Sequence, residues 1–195
     1  TSVAGVPAAR AFWRWLALSI AIVVADRVTK DLVAGALAPG EIRPYTAFFS
    51  LVLTYNTGAA FSFLADAPGW QRWLFTAIAC VAGVILVWLL RRGGSTLYLA
   101  GIALILGGAI GNLWDRLAIG RVVDFLLFHY ERHAWPAFNV ADSAITVGAA
   151  LLILDSLRAR RVEVRPRPRS CSPSRAASAP ASTARSRSSS RRLRS

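Results

Sequence analysis

Residues 70–90 read WQRWLFTAIACVAGVILVWLL, and no charged side chain stands between Arg72 and Arg91. A helix of about 20 apolar residues crosses the roughly 30 Å of bilayer hydrocarbon, so this stretch predicts a transmembrane helix. Three more stretches of similar length and character flank it, Phe12–Val33, Leu97–Leu117 and Phe138–Leu157. The expected fold is a membrane all-α protein of four transmembrane helices, held in one domain over residues 1–157. A cleaved signal peptide is the alternative for the first stretch. It lacks a convincing small-residue cleavage site, and three spans follow it.

Composition points the same way. Hydrophobic residues make up 55% of the 195-residue chain and charged residues 17%, against roughly 25% charged in soluble domains. Seven tryptophans suit helix ends at a lipid interface. The net charge of +13 is unevenly spread: residues 158–195 hold 12 arginines against Glu163 alone, whereas residues 1–157 hold 11 basic and 9 acidic groups. That tail of Arg, Ser, Pro and Ala has almost nothing to bury and is expected to be disordered. Its charge suits anionic membrane lipids and no specific nucleic acid.

Arg10 and Arg14 precede the first span, Arg91 and Arg92 follow the second, and Arg158, Arg160 and Arg161 follow the fourth. Four spans put these clusters on one side, which the positive-inside rule makes cytoplasmic, with both termini there. Loops 34–69 and 118–137 then face outward. In the first of these, Pro39-Gly40 and Pro44 mark turns and Phe48–Tyr55 is strand-prone, so short strands on the outer membrane surface are expected. Gly107 and Gly111 in the third span form a small-xxx-small pair that lets a neighbouring helix approach. Cys80 lies in an apolar run and Cys171 in the polar tail, so they are not expected to pair. With two histidines and no clustered thiols, neither a metal nor a cofactor is expected.

Polar groups in lipid are costly and ask for a partner or a job. Asp26 and Lys30 lie four apart near the outer end of the first span. Asn112, Asp115 and Arg116 share a face near the outer end of the third, and Asn139 and Asp142 open the fourth. Asp124 follows the third span inside the apolar run Val122–Phe128. Ion pairs Asp26–Lys30 and Asp115–Arg116 would tie helices together. Asp124 and Asp142 have no basic partner at helical spacing, and His129 and His133 are expected in a loop facing water, with no catalytic part. Two carboxylates at low dielectric share one proton, so one can take a proton from water while the other hydrogen-bonds a carbonyl. That is an aspartic-protease mechanism. A proton-coupled transporter also uses membrane carboxylates, and a scaffold would use them as helix glue; on these residues alone both stay open.

Five blocks resemble the lipoprotein signal peptidase (signal peptidase II) family, in its order and spacing. They are Asp26-Arg27-Val28-Thr29-Lys30, Asn56-Thr57-Gly58-Ala59-Ala60-Phe61-Ser62, Gly107–Arg116, Val122-Val123-Asp124-Phe125 and Phe138-Asn139-Val140-Ala141-Asp142. The resemblance implies that Asp124 and Asp142 are catalytic. It gives Asp26, Lys30, Asn56, Gly58, Asn112, Asp115, Arg116 and Asn139 supporting and substrate-binding parts. It further implies a small extracytoplasmic β-sheet cradle within about residues 35–69, and an active site near the outer face of the bacterial cell membrane. The implied substrate is a prolipoprotein with a diacylglyceryl-modified cysteine, cut just before that cysteine. Arg27 departs from the family's usual glutamine; pairing with Asp31 or snorkelling to the interface is expected of it.

Overall fold

The computed structural model describes residues 8–57 and 69–163. Gly58, the rest of the block that follows it, and the tail from residue 164 lie outside the described residues. The elements run α1 (Ala8–Ala36), β1 (Ile42–Pro44), β2 (Phe49–Asn56), α2 (Trp70–Arg92), α3 (Thr96–Ala118), β3 (Val122–Tyr130), β4 (His133–Ala134) and α4 (Val140–Glu163).

Among the described residues, three helices are long and apolar enough to cross a membrane: α2, α3 and the segment Val140–Ala159 of α4. The expected first span also forms one continuous helix, the 29-residue α1, with Asp26, Arg27, Lys30 and Asp31 in its second half; it is not among those three. The fourth helix runs beyond its expected end at Leu157, through Arg158 to Glu163. Arg and Ala are strong helix formers, and the first proline comes only at Pro166.

Helix α3 is the hub, packing against α1, α2 and α4. Its glycines set the spacing. A Cβ on Gly101 would lie 2.8 Å from the Gly148 carbonyl oxygen of α4, and one on Gly148 would lie 2.7 Å from that of Gly101. On the α1 side, a Cβ on Gly107 would come 2.7 Å from the Ser19 carbonyl oxygen, and one on Gly111 equally near Asp26 Oδ2. The Gly107/Gly111 pair therefore admits α1, and Gly101 admits α4. Gly93, at φ 78°, ends α2, and Ser95 caps α3 by accepting a hydrogen bond from the Tyr98 amide at 3.1 Å.

The α1–α2 and α3–α4 connections build one antiparallel sheet of order β1-β2-β3-β4. Only half of this cradle comes from the expected segment 35–69. Its other half, β3 and β4, comes from residues 118–137, so His129 and His133, expected in a loop facing water, stand on strands, and His129 bonds Ser50 Oγ at 2.8 Å. The run Val122–Phe128 is rich in Val, Phe and Leu, the composition of a strand buried on both faces. The β2–β3 pairing sets Phe49 opposite Phe128 and Thr54 opposite Asp124, with a register shift between Leu51 and Thr54.

Two apolar clusters bracket a polar layer. Val33 and Leu37 at the end of α1 pack with Leu53, Val123 and Phe125 of the sheet. At the other end, Leu90, Leu99, Ile102, Ala103 and Leu106 pack with Trp15 and Leu16. Between them lie Asp26, Lys30, Asn112, Asp115, Asp124 and Asn139, all buried.

Candidate active site

Each aspartate of the expected pair is held by a different kind of element. Asp124 is on β3, where strand pairing fixes its backbone and leaves its side chain 2% exposed. Asp142 is in the first turn of α4. Asn139, the residue before that helix, caps it: its Oδ1 accepts the Asp142 amide at 2.9 Å. The Asn-x-x-Asp spacing at the start of an apolar run is itself a capping signal.

Amide side chains join the two carboxylates. Asn139 Nδ2 donates to Asp124 Oδ1 at 2.7 Å and to Asn112 Oδ1 at 3.2 Å. Asn112 Nδ2 donates to Asp142 Oδ1 at 2.7 Å. Asn56, at the end of β2, donates to Asp124 Oδ2 at 3.2 Å. The 18-residue separation in sequence is thus closed through two asparagines, and the aspartates share one electrostatic environment. Burial, and then the nearby Asp142 charge, push the Asp124 carboxyl from 3.8 up to about 7. The amides of Asn56 and Asn139 pull it back down.

Beneath the asparagines lies an ionic cluster. Lys30, 0% exposed, reaches Asp26 Oδ2 at 2.7 Å, Asp115 Oδ2 at 2.8 Å and Asn112 Oδ1 at 3.2 Å. Three ammonium hydrogens meet three acceptors. The two acids also grip the main chain beside the pair. Asp26 Oδ1 accepts the Ala141 amide at 2.9 Å, one residue before Asp142. Asp115 Oδ2 accepts the Val123 amide at 3.2 Å, one residue before Asp124. Lys30 therefore bridges two carboxylates, each of which pins one member of the pair through its backbone.

The expected pair Asp26–Lys30 is present. The expected pair Asp115–Arg116 is not, because successive residues on a helix point about 100° apart. Asp115 turns to Lys30 and Arg27, whereas Arg116 donates to the Asn112 carbonyl oxygen at 3.3 Å and covers the Phe75 ring of α2. Arg27 pairs with Asp31 as expected and also with Asp115, a contact across helices that helical spacing does not reveal. Among the described residues no group of three or more His, Cys, Asp or Glu side chains is placed to hold a metal ion.

A family model described as signal peptidase (SPase) II matches residues 18–158. The chain belongs to the signal peptidase II family. A lipoprotein signal peptidase of Cupriavidus taiwanensis is 55% identical over 148 residues, covering 75% of this chain and 84% of that protein. One of Pseudomonas putida is 54% identical over 163 residues, covering 80% and 95%. A solved bacterial membrane enzyme, determined by the in meso method, superposes with a TM-score of 0.71 at 25% identity, covering 80% of this chain and 94% of that one. The signal peptidase II match spans every residue of the cluster from Asp26 to Asp142. The helices and sheet that carry the cluster thus fall inside the family's shared portion.

Proposed function

We propose that this chain is an aspartic endopeptidase that removes signal peptides from diacylglyceryl-modified prolipoproteins, cutting just before the lipidated cysteine. The observation that carries this reading is the joining of Asp124 and Asp142 through Asn139 and Asn112, with Asp124 pushed up to about 7. One proton shared by such a pair is the state that acid–base hydrolysis needs at neutral pH. The ionised member takes a proton from water as its oxygen attacks the scissile carbonyl. The protonated member hydrogen-bonds that carbonyl as it becomes an oxyanion. Collapse breaks the C–N bond, and the proton taken from water passes to the leaving amine.

The placement of the site supports the substrate class. The polar layer lies at the sheet end of the helices, where a diacylglyceryl group embedded in lipid would hold its cysteine near the headgroup plane. In this reading α1 is the fourth span, the sheet lies on the outer face, and both termini are cytoplasmic. Asn56 and Gly58 have supporting and substrate-binding parts in this reading, and the arginine-rich tail contacts anionic lipid. The test is incubation of the purified chain with a diacylglyceryl-modified precursor and its unmodified twin. Cleavage of the modified one alone, at the bond before cysteine, is expected. Equal cleavage of both would remove the lipid from the recognition, and cleavage of neither would sink the proteolytic reading.

A further inference from the structure

Arg27 lies one helical turn from Asp31 on the outer part of α1, its side chain about one-third exposed. Its Nε donates to Asp31 at 3.1 Å, and a terminal nitrogen contacts the other Asp31 oxygen. The remaining terminal nitrogen crosses to α3 and donates to Asp115 Oδ1 at 2.7 Å. Asp115 is 1% exposed, so that oxygen has exchanged water for a guanidinium. Its other oxygen serves Lys30 and the Val123 amide. Asp26, Asp115 and Lys30 alone would leave one negative charge uncompensated in a buried layer; Arg27 supplies the second positive charge. With Oδ1 occupied, Lys30 is free to divide its hydrogens among Asp115, Asp26 and Asn112. Remove the guanidinium, and Lys30 is drawn toward Asp115 and away from Asn112, the donor that holds Asp142.

We propose that Arg27 is a positioning residue for the hydrolytic reaction, acting through Asp115 and Lys30 to hold Asp124 and Asp142 at their working separation. This rests on the dyad reading above. The competing account is a half-exposed surface ion pair with Asp31, which would contribute little.

The experiment compares the parent, Arg27→Ala, Arg27→Lys, Arg27→Gln, Asp31→Asn, Asp115→Asn and the Arg27→Ala/Asp115→Asn double variant on the lipidated precursor, separating kcat from KM. Misplaced catalytic groups lower kcat, so Arg27→Ala should lose about tenfold or more in kcat with KM little changed. Arg27→Lys should recover most of it. Arg27→Gln, which keeps a donor but not the charge, should stay slower than Arg27→Lys. Asp31→Asn should remain within about twofold of the parent, as an exposed pair implies. The double variant should be no slower than Asp115→Asn alone, because the two residues act on one path. Parent-like kcat in Arg27→Ala, an equal loss in Asp31→Asn, or additive losses in the double variant would overturn the proposal. If Arg27→Ala does not accumulate, equal rates for Arg27→Lys and Arg27→Gln would overturn it instead. Cleavage by the parent keeps the two readings apart: a parent that does not cut sinks the proteolytic reading, whereas a parent that cuts no better than Arg27→Ala sinks only this one.

Discussion

At the scale of single residues, carboxylates inside this protein divide by what surrounds them. Asp26 and Asp115 meet Lys30 and main-chain amides. Among the described residues, Asp124 meets the neutral amides of Asn56 and Asn139 on its two oxygens, with a second carboxylate near by, so its proton is held to about pH 7. Replacing Asp124 or Asp142 with asparagine should leave a folded protein without measurable cleavage; retained full turnover in either variant would sink the dyad. The pH dependence has a definite sign. Activity that needs the shared proton should fall on the alkaline side, with an apparent pKa near 7 in kcat/KM. Because the folded-state pKa of Asp124 lies above its ordinary 3.8, the native state holds a proton that the unfolded state releases between those values. The contribution of Asp124 to stability is thus fully present below about pH 4 and declines as pH rises toward 7. Thermal melts across that range should show this slope in the parent and lose it in Asp124→Asn. Lys30→Met should be far more damaging to the fold. It strands buried Asp26 and leaves Asp115 with Arg27 as its one cation, and breaking a buried ion pair costs about 3–5 kcal/mol, which would be read as loss of accumulation or of melting temperature.

At the scale of elements, close approach does the work that hydrophobic burial does in water, because lipid is as apolar as the helix surface. Gly108 shows the demand: an added Cβ would strike the carbonyl oxygen of Ala141, the residue before Asp142, and come 2.7 Å from Ile145 Cγ1. Gly83 of α2 has nothing within 4 Å of such a Cβ. Gly108→Leu should therefore lower stability by about 1–3 kcal/mol or more and cut activity with it. Gly83→Ala should be neutral, or stabilise by up to about 1 kcal/mol. A melt in detergent separates the two, and equal effects would contradict the packing described. The sheet shows the same dependence on place. Asp124 reaches the asparagines because β3 lies between β2 and the start of α4, bridged through Leu126 and Phe138.

At the scale of the whole molecule, the Arg91–Arg92 pair and the polar layer occupy opposite ends of the helices. Arg91 at the end of α2 lies over the Phe12 ring near the start of α1. Ser95, at the start of α3, hydrogen-bonds Asp155 late in α4. The sheet and the aspartates lie at the other end. In the four-span reading a cysteine introduced at Glu131 labels from outside the cell and one at Arg92 does not, in a chain whose native Cys80 and Cys171 are serine. Labelling of both from one side would overturn that topology.

What the sequence determined by itself is what depends on short-range chemistry. Apolar length located the helices, though α4 runs on from Leu157 to Glu163, and Phe48–Tyr55 foretold β2 (Phe49–Asn56). The β3 strand was legible in Val122–Phe128 only with the knowledge that a second strand awaited it, since an apolar run reads equally as helix or strand until its partner is in place. Tertiary structure decided the rest. It chose Lys30 and Arg27 over Arg116 as the partners of Asp115, and it linked Asp124 to Asp142 through Asn139 and Asn112. These contacts join residues on different elements, where the distance between side chains is set by how glycines let helices close and by where a strand docks. Spacing along the chain carries no measure of either.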